Sequence, residues 1–494
     1  MGTEVRKEEF SDGDHARFRA RLEQSLSVLA QLLKRPGFGT GPPTIGAELE
    51  LFLIDSAGRP LPRNQAVRAA AADPRVTVEL DRFNLELNAS PVPLAGRPFT
   101  ALGAELDLLL DQVGDAARAY RGRPALIGIL PTLRRADLHR GVMTDAARYR
   151  AMNQRLRQLR QDRSRIQITG EDPLELDSEN VVPEGANTSF QVHLRVDPAD
   201  FTRTYNAVQL ATAPVLAVSG NSPTFLGHRL WEETRIALFK HAIDDRQATG
   251  ARRGPPRAGL GTGWLRGGPA ELFAESVRLH QPLLPVISDQ EPRPDGTGRF
   301  PPPLDELRLH QSTVWRWNRA IYDPACGGHL RIEMRALPSG PTVIDMLANA
   351  AFLIGLSLWL ASQDPWWTYA LPFERADDGF YRAAQHGPAA QLSWPTWQRD
   401  QARTAAAADL VPGLLPPARQ GLIEAGVTPE EADRLLGVIS ARVASGQTGA
   451  AWQRATLAAA EQRHDRGRAL AVMLERYLEH PATGQPVHSW PAGS

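Results

Sequence analysis

The stretch GAELELFLID, residues 46–55, decides the fold. Successive side chains of a strand point to opposite faces. Ala47, Leu49, Leu51 and Leu53 therefore share one face, and Glu48 and Glu50 share the other with Phe52 and Ile54. Two carboxylates sit side by side on a strand that is otherwise apolar. The rest of the chain has to say whether they face water or a site.

Three more stretches alternate in the same way. In 189–196, Phe190, Val192, Leu194 and Val196 oppose Ser189, Gln191, His193 and Arg195. In 329–336, Leu330, Ile332, Met334 and Ala336 oppose His329, Arg331, Glu333 and Arg335. In 85–90, Leu85, Leu87 and Ala89 oppose Glu86, Asn88 and Ser90. One wet face of an antiparallel sheet accounts for any single strand of this kind. Together, however, the polar faces carry carboxylates, imidazole, amide and guanidinium in place of the usual Thr, Ser, Lys and Gln. That mixture suits hard divalent cations and phosphate. Carboxylates so close on one sheet also repel unless a cation offsets them.

The bulk composition narrows the classes. The chain has 494 residues, 42% hydrophobic and 23% charged, as expected of a globular protein. Its 56 basic and 56 acidic residues cancel, so neither nucleic acid nor an anionic membrane is implied as a partner. Lys7, Lys34 and Lys240 are the only lysines; the other basic residues are arginine, which suggests a GC-rich bacterial genome. Cys326 is the only cysteine, which excludes an internal disulfide and fits a reducing cytoplasm. The polar start MGTEVRKEEFSDGDH predicts no secretory signal. MLANAAFLIGLSLWLA, residues 346–361, falls short of a bilayer span and reads as a buried helix.

Helical periodicity covers 14–34, where Phe18, Leu22, Leu26, Leu29 and Leu33 share a face, and 100–120. Residues 144–162 read as an Arg-rich helix, and the stretch from Thr204 to Gly220 as another. Gly, Pro and Arg concentrate in 250–269 and 291–303, which read as loops. The first is expected to be mobile and to lie at the rim of the site, and the site to be the main polar concavity. GLGTGW, 259–264, lacks the Gly-Lys-Ser/Thr ending of a phosphate loop, and no G-x-S-x-G or H-E-x-x-H occurs. From 366 onward the pattern is helical. The expected organisation is therefore a catalytic domain over 1–365 and a helical C-terminal segment, 366–494, packed on it.

The sequence resembles glutamate–cysteine ligase family 2, the bacterial carboxylate–amine ligases that share the glutamine synthetase architecture. The resemblance rests on TIGAELELFLID, LELNASPVP, NTSFQVHLRV, SGNSPTFLG, WEETRIALFKHAIDDR and HLRIEMRALPSGPTVIDMLA, in that order over 44–348. QTGAAWQR, 447–454, resembles the family's helical tails. It implies an α+β fold: an antiparallel sheet curved around a funnel-shaped site, with helices outside. It implies ATP and two or three divalent cations, Mg2+ or Mn2+. It makes Glu48, Glu50, Glu86, His193 and Glu333 metal ligands. It sets Arg331 and Arg335 at the phosphates and the substrate carboxylate, with Arg235 and Lys240 as further nucleotide contacts. Asp81 becomes the candidate base for the amine.

The activity so implied is ATP-dependent amide formation between an amino-acid carboxylate, the glutamate γ-carboxylate, and an amine, by default cysteine, through an acyl phosphate. Another amine acceptor, or a ligand-binding protein without catalysis, are the alternatives. Plainer readings stand beside these: Arg335 in an internal salt bridge with Glu333 or Glu50, and Lys240 as a surface group. Leu130-Pro131 stands where many relatives have His-Pro, which bears on the acceptor pocket. The expected partners are the small-molecule substrates, and a homo-oligomer is left open.

Overall fold

Strand β1 (Thr44–Asp55), which contains the opening stretch, lies inside a seven-stranded antiparallel sheet in the computed structural model. The structure describes residues 5, 7–160, 163–246, 254–293, 300–396 and 402–491. β2 (Val76–Val78), β3 (Asn84–Pro93) and β4 (Gly122–Ala125) precede two hairpin strands, β5 (Ser164–Ile168) and β6 (Leu174–Ser178). Then come β7 (Phe190–Val196), the short pair β8 (Thr224–Phe225) and β9 (His228–Arg229), β10 (Asn318–Asp323) and β11 (His329–Met334). The last hairpin is β12 (Gln391–Pro395) and β13 (Ala402–Ala406). The main sheet runs β10-β11-β7-β1-β3-β2, with β4 also on β1. It curls into a half-barrel with helices around it, an α+β fold. A bulge between Ile45 and Ala47 disturbs the β1–β3 register, and bulges bend strands.

The apolar faces read from the sequence are core. Ala47, Leu49, Leu51, Leu53, Val192, Leu194, Ile332 and Met334 are all buried. Helices Pro98–Arg118 and Val343–Ser362 back that face. Thr342 caps the second helix by accepting from the Asp345 amide. It is the one described helix long and apolar enough to cross a membrane, and 83% of its apolar window is buried. Helix Ala407–Glu424 packs on it through glycine: a Cβ on Gly355 would lie 2.4 Å from the Ala418 carbonyl oxygen. Asp345 and Arg442, both buried and 2.7 Å apart, add an ion pair between the same helix and Pro429–Ser445.

Three readings change. The region after 366 is not wholly helical, because β12 and β13 form a hairpin in it. β10 was hidden by its short pattern, in which Ile321 interrupts the polar face of Arg319 and Asp323. Residues 254–269 form a loop, but a pinned one, and 250–253 lie outside the described residues. Arg257 is wholly buried there and donates to Asp245 (2.7 Å) and the Thr313 carbonyl (3.0 Å). Trp264 donates to the Leu371 carbonyl (2.9 Å).

Candidate active site

Sheet register brings distant residues together. Glu333 on β11 lies opposite His193 on β7 and opposite Arg319 on β10; Glu50 on β1 lies opposite Glu86 on β3. One ligand atom each from Glu48, His193 and Glu333 lies within 4.8 Å of the others, the one such set among the described residues. His193 Nε2 is buried, 3.2 Å from Glu48 Oε1 and 3.9 Å from Glu333 Oε1, and makes no well-aligned hydrogen bond. Arg331 Nε donates to His193 Nδ1 at 3.0 Å. A neutral imidazole that accepts at Nδ1 carries its proton on Nε2. A cation on Nε2 would therefore displace that proton or release Nδ1 from Arg331. An orphaned imidazole nitrogen between two carboxylates is a donor set that fits a divalent cation.

Guanidinium groups surround this trio. Glu333 accepts from Arg319 Nε (2.6 Å) and Nη2 (3.0 Å) and from Arg335 Nη1 (3.1 Å). Burial pushes the Glu333 carboxyl up, but Arg319, Arg335 and His193 outweigh it and hold it well below the usual range. Glu48 is likewise lowered, with burial opposed by His193. The salt-bridge reading of Arg335 is thus present in the geometry. Arg331 also pairs with Asp323.

A second acidic group lies on the other side of β1. Glu50 accepts from the Ser189 amide (2.7 Å) and Gln191 Nε2 (2.9 Å). Glu50, Glu79, Glu184, Arg235 and Arg335 line one small cavity of about 30 Å3. Glu86 adjoins the group, accepting from Thr77 (3.1 Å) and Asn88 (3.0 Å). Burial, then Glu48 and Glu50, pushes Glu86 to about 8; burial, then Glu50, pushes Glu184 to about 8. Burial and the carboxylates of Glu86, Glu50 and Glu184 raise Glu79 well above its ordinary value. Without a counter-charge these carboxyls hold protons at neutral pH, and a divalent cation would let them ionise.

The trio side opens into a cavity of about 180 Å3 with Glu48, Arg319, Arg331 and Glu333 in its wall. Gly261, Thr262 and Gly263 line a neighbouring cavity with Arg319, so the 254–269 loop borders the site. The expected site residues are divided among separate cavities and not gathered in one concavity. A polar cleft of about 650 Å3 lies apart, lined by Arg140, Arg157 and Arg163, and includes none of the expected site residues.

Two expected residues stand elsewhere. Asp81 is wholly buried under Gly185, where a Cβ would lie 2.5 Å from its carboxyl, and neither carboxyl oxygen has a hydrogen-bond partner. Burial and Glu184 push its carboxyl well above the ordinary value, so it keeps its proton and does not suit a base. Lys240 is half-buried with Nζ 4.0 Å from the Tyr381 ring centroid and lines none of these cavities. Arg235, by contrast, does face the small cavity. Its Nε donates to Glu233 at 2.7 Å and its Nη2 to the Ala336 carbonyl at 2.6 Å.

Arg319, Glu79 and Glu184 were not found in the sequence. Glu79 was within reach: the alternation of Val76, Val78 and Leu80 puts Thr77 and Glu79 on the face opposite, and Thr77 pairs with Glu86. Glu184 sits on a four-residue helix, Val182–Gly185, too short for any periodicity.

A family model described as glutamate–cysteine ligase family 2 matches residues 44–475. No curated protein matches the chain. The structure is similar to that of a glutamate–cysteine ligase from Francisella tularensis in complex with AMP. The two are 13% identical with a TM-score of 0.54, over 92% of this chain and 90% of that one. A bifunctional glutathione synthetase from Pasteurella multocida, also 13% identical, aligns with a TM-score of 0.45 over 95% of this chain and 55% of that one.

Proposed function

The chain belongs to glutamate–cysteine ligase family 2, and on that premise we propose an ATP-dependent carboxylate–amine ligase that acts on the γ-carboxylate of glutamate. A carboxylate resists nucleophiles, because its charge repels them and oxide leaves badly. Transfer of the ATP γ-phosphoryl group gives an acyl phosphate; the amine then displaces phosphate and an amide results. Such transfer depends on positioning and charge neutralisation. Arg319, Arg331 and Arg335 supply fixed positive charge for the phosphates and the carboxylate. Arg235 adds one more from the small cavity. Glu48, His193 and Glu333 would hold one divalent cation, and Glu50 and Glu86, with Glu79 or Glu184, a second. Bound Mg2+ or Mn2+ neutralises polyphosphate charge. The observation that carries the reading is the convergence of Glu48, His193 and Glu333 within 4.8 Å, ringed by three arginines.

Cysteine is the default acceptor. Leu130, buried and apolar in the place of a histidine, favours a different amine as the second reading. The test is ADP release by the full chain with ATP, Mg2+ or Mn2+, glutamate and a panel of amines, with mass spectrometry of the product. Glutamate- and amine-dependent ADP release with a γ-glutamyl amide product is expected. Absence of turnover with every amine would sink the reading.

A further inference from the structure

The QTGAAWQR stretch of the tail has no role in the chemistry above, yet a chain of buried hydrogen bonds links it to Arg235 in the cavity wall. Gln453, on helix Gly449–Glu461, donates through Nε2 to the Asn221 side-chain oxygen (2.8 Å) and carbonyl (3.1 Å). The Asn221 amide donates to Glu233 Oε2 (2.8 Å), and Ser222 Oγ donates to Glu233 Oε1 (2.7 Å). Glu233 Oε1 in turn accepts from Arg235 Nε at 2.7 Å. Tyr477, on helix Arg466–Glu479, receives a hydrogen bond from Asn221 Nδ2 (2.9 Å) and donates to the Leu126 carbonyl (2.8 Å). Asn221, Ser222, Glu233, Arg235, Gln453 and Tyr477 are each at most 2% exposed. The segment 219–235, which includes β8 and β9, is thus clamped by the tail on one side and carries a cavity guanidinium on the other.

We propose that the C-terminal helices set the position of the Arg235 guanidinium in the catalytic cavity, with Gln453 and Glu233 as positioning residues. The physical reason is that each hydrogen bond in this buried chain is costly to break, so each residue holds the next in place. The Ala336 carbonyl holds Arg235 at Nη2, and Glu233 holds it at Nε; of the two anchors, the carboxylate is the one that can pivot. Two donors from the 221–222 backbone and side chain fix the carboxylate, and Gln453 fixes Asn221 from beyond. This inference rests on the ligase reading for its kinetic consequences but not for its geometry.

The experiment compares Gln453→Leu with the full-length parent and with Ile439→Ala, a core truncation in the neighbouring helix Pro429–Ser445 that lies off this path. Misplacement of a site group by about 1 Å can cost up to about 100-fold in rate. Gln453→Leu should raise the KM for glutamate or ATP about tenfold, whereas Ile439→Ala should lower the melting temperature and leave both KM values within about twofold of the parent. In an Arg235→Lys background, Gln453→Leu should add little, since both changes act through one group. Unchanged KM values in Gln453→Leu, or effects that multiply in the double variant, would overturn the proposal. A crystal structure of Gln453→Leu reads the geometry directly: a displaced Arg235 guanidinium supports the proposal, and one superposing on the parent overturns it. If the parent shows no turnover, the ligase reading falls and that structure alone decides.

Discussion

Two acidic groups meet at one sheet face, and their surroundings push their carboxyls in opposite directions. On the β7–β11 side, buried Glu333 and half-buried Glu48 lie among His193, Arg319 and Arg335, which hold their carboxyls below the usual range. On the β2–β3 side, Glu79, Glu86 and Glu184 have mostly one another for company and are pushed toward the protonated form. Burial acts in the same direction on both. What differs is the through-space partner, so residue type and face alone do not set the charge of a site. The first group is a completed ion-pair network that can take a cation by rearranging; the second needs a cation to ionise at all.

Glu333→Gln tests this contrast most severely. It removes a ligand and takes the carboxylate from two largely covered guanidinium groups. Turnover should fall at least about 100-fold, and the metal-free protein should lose about 3–5 kcal/mol in denaturant unfolding. The sequence alone suggested the opposite stability effect, relief of carboxylate repulsion. A variant with near-parent stability would mean that Arg319 and Arg335 do not depend on Glu333.

Met334, next along β11, faces the core and is fully buried. Met334→Ala should cost about 2–5 kcal/mol while the folded fraction keeps its turnover. Loss of turnover in the fraction that remains folded would mean that the two faces of β11 are not independent.

The two groups also predict opposite pH behaviour. Glu86 and Glu184 have folded values of about 8 against an ordinary 4.5, so metal-free stability falls as pH rises through that window. Glu48 and Glu333, lowered in the fold, contribute stability above about 4.5 that is lost as pH falls further. Bound Mn2+ requires ionised carboxylates, so its stabilisation should grow from pH 5 to pH 8 and reach about 2.7 kcal/mol at 100 times the dissociation constant. A Mn2+-induced melting shift that is flat across this range would remove the second cation from the account.

The smallest effect is expected from Glu79→Gln. Gln enters the fold neutral without the proton uptake that burial and the neighbouring carboxylates force on Glu79, so metal-free stability at neutral pH should rise by about 1 kcal/mol, against the fall at Glu333. Thermal melts of the two variants side by side read the sign. A fall at Glu79 would show that this group is already balanced.

Much of this was legible in the sequence. The alternation in 46–55, 189–196 and 329–336 identified the strands, and their apolar faces are the core. The polar faces named Glu48, Glu50, Glu86, His193, Glu333 and Arg335 before any coordinates. The family motifs and the buried character of Val343–Ser362 were also readable.

What lies in the sequence is the local rule: a period of two that assigns each side chain to a face and so decides fold and core. What it does not hold is which strands lie side by side. Register across β10, β11 and β7 sets Arg319 and His193 opposite Glu333 and lets Arg331 reach His193 diagonally, and chain separations of 14 and 138 residues leave no periodic trace of the Arg319–Glu333 and Arg331–His193 pairs. Depth is equally nonlocal. Asp81 is pushed toward its protonated form by burial under Gly185 of helix Val182–Gly185 and by Glu184, and Glu79, just after β2, and Glu184 become one acidic group only when the two segments meet at the same cavity. Charge, acidity and access depend on distance and burial, and those belong to the tertiary structure alone.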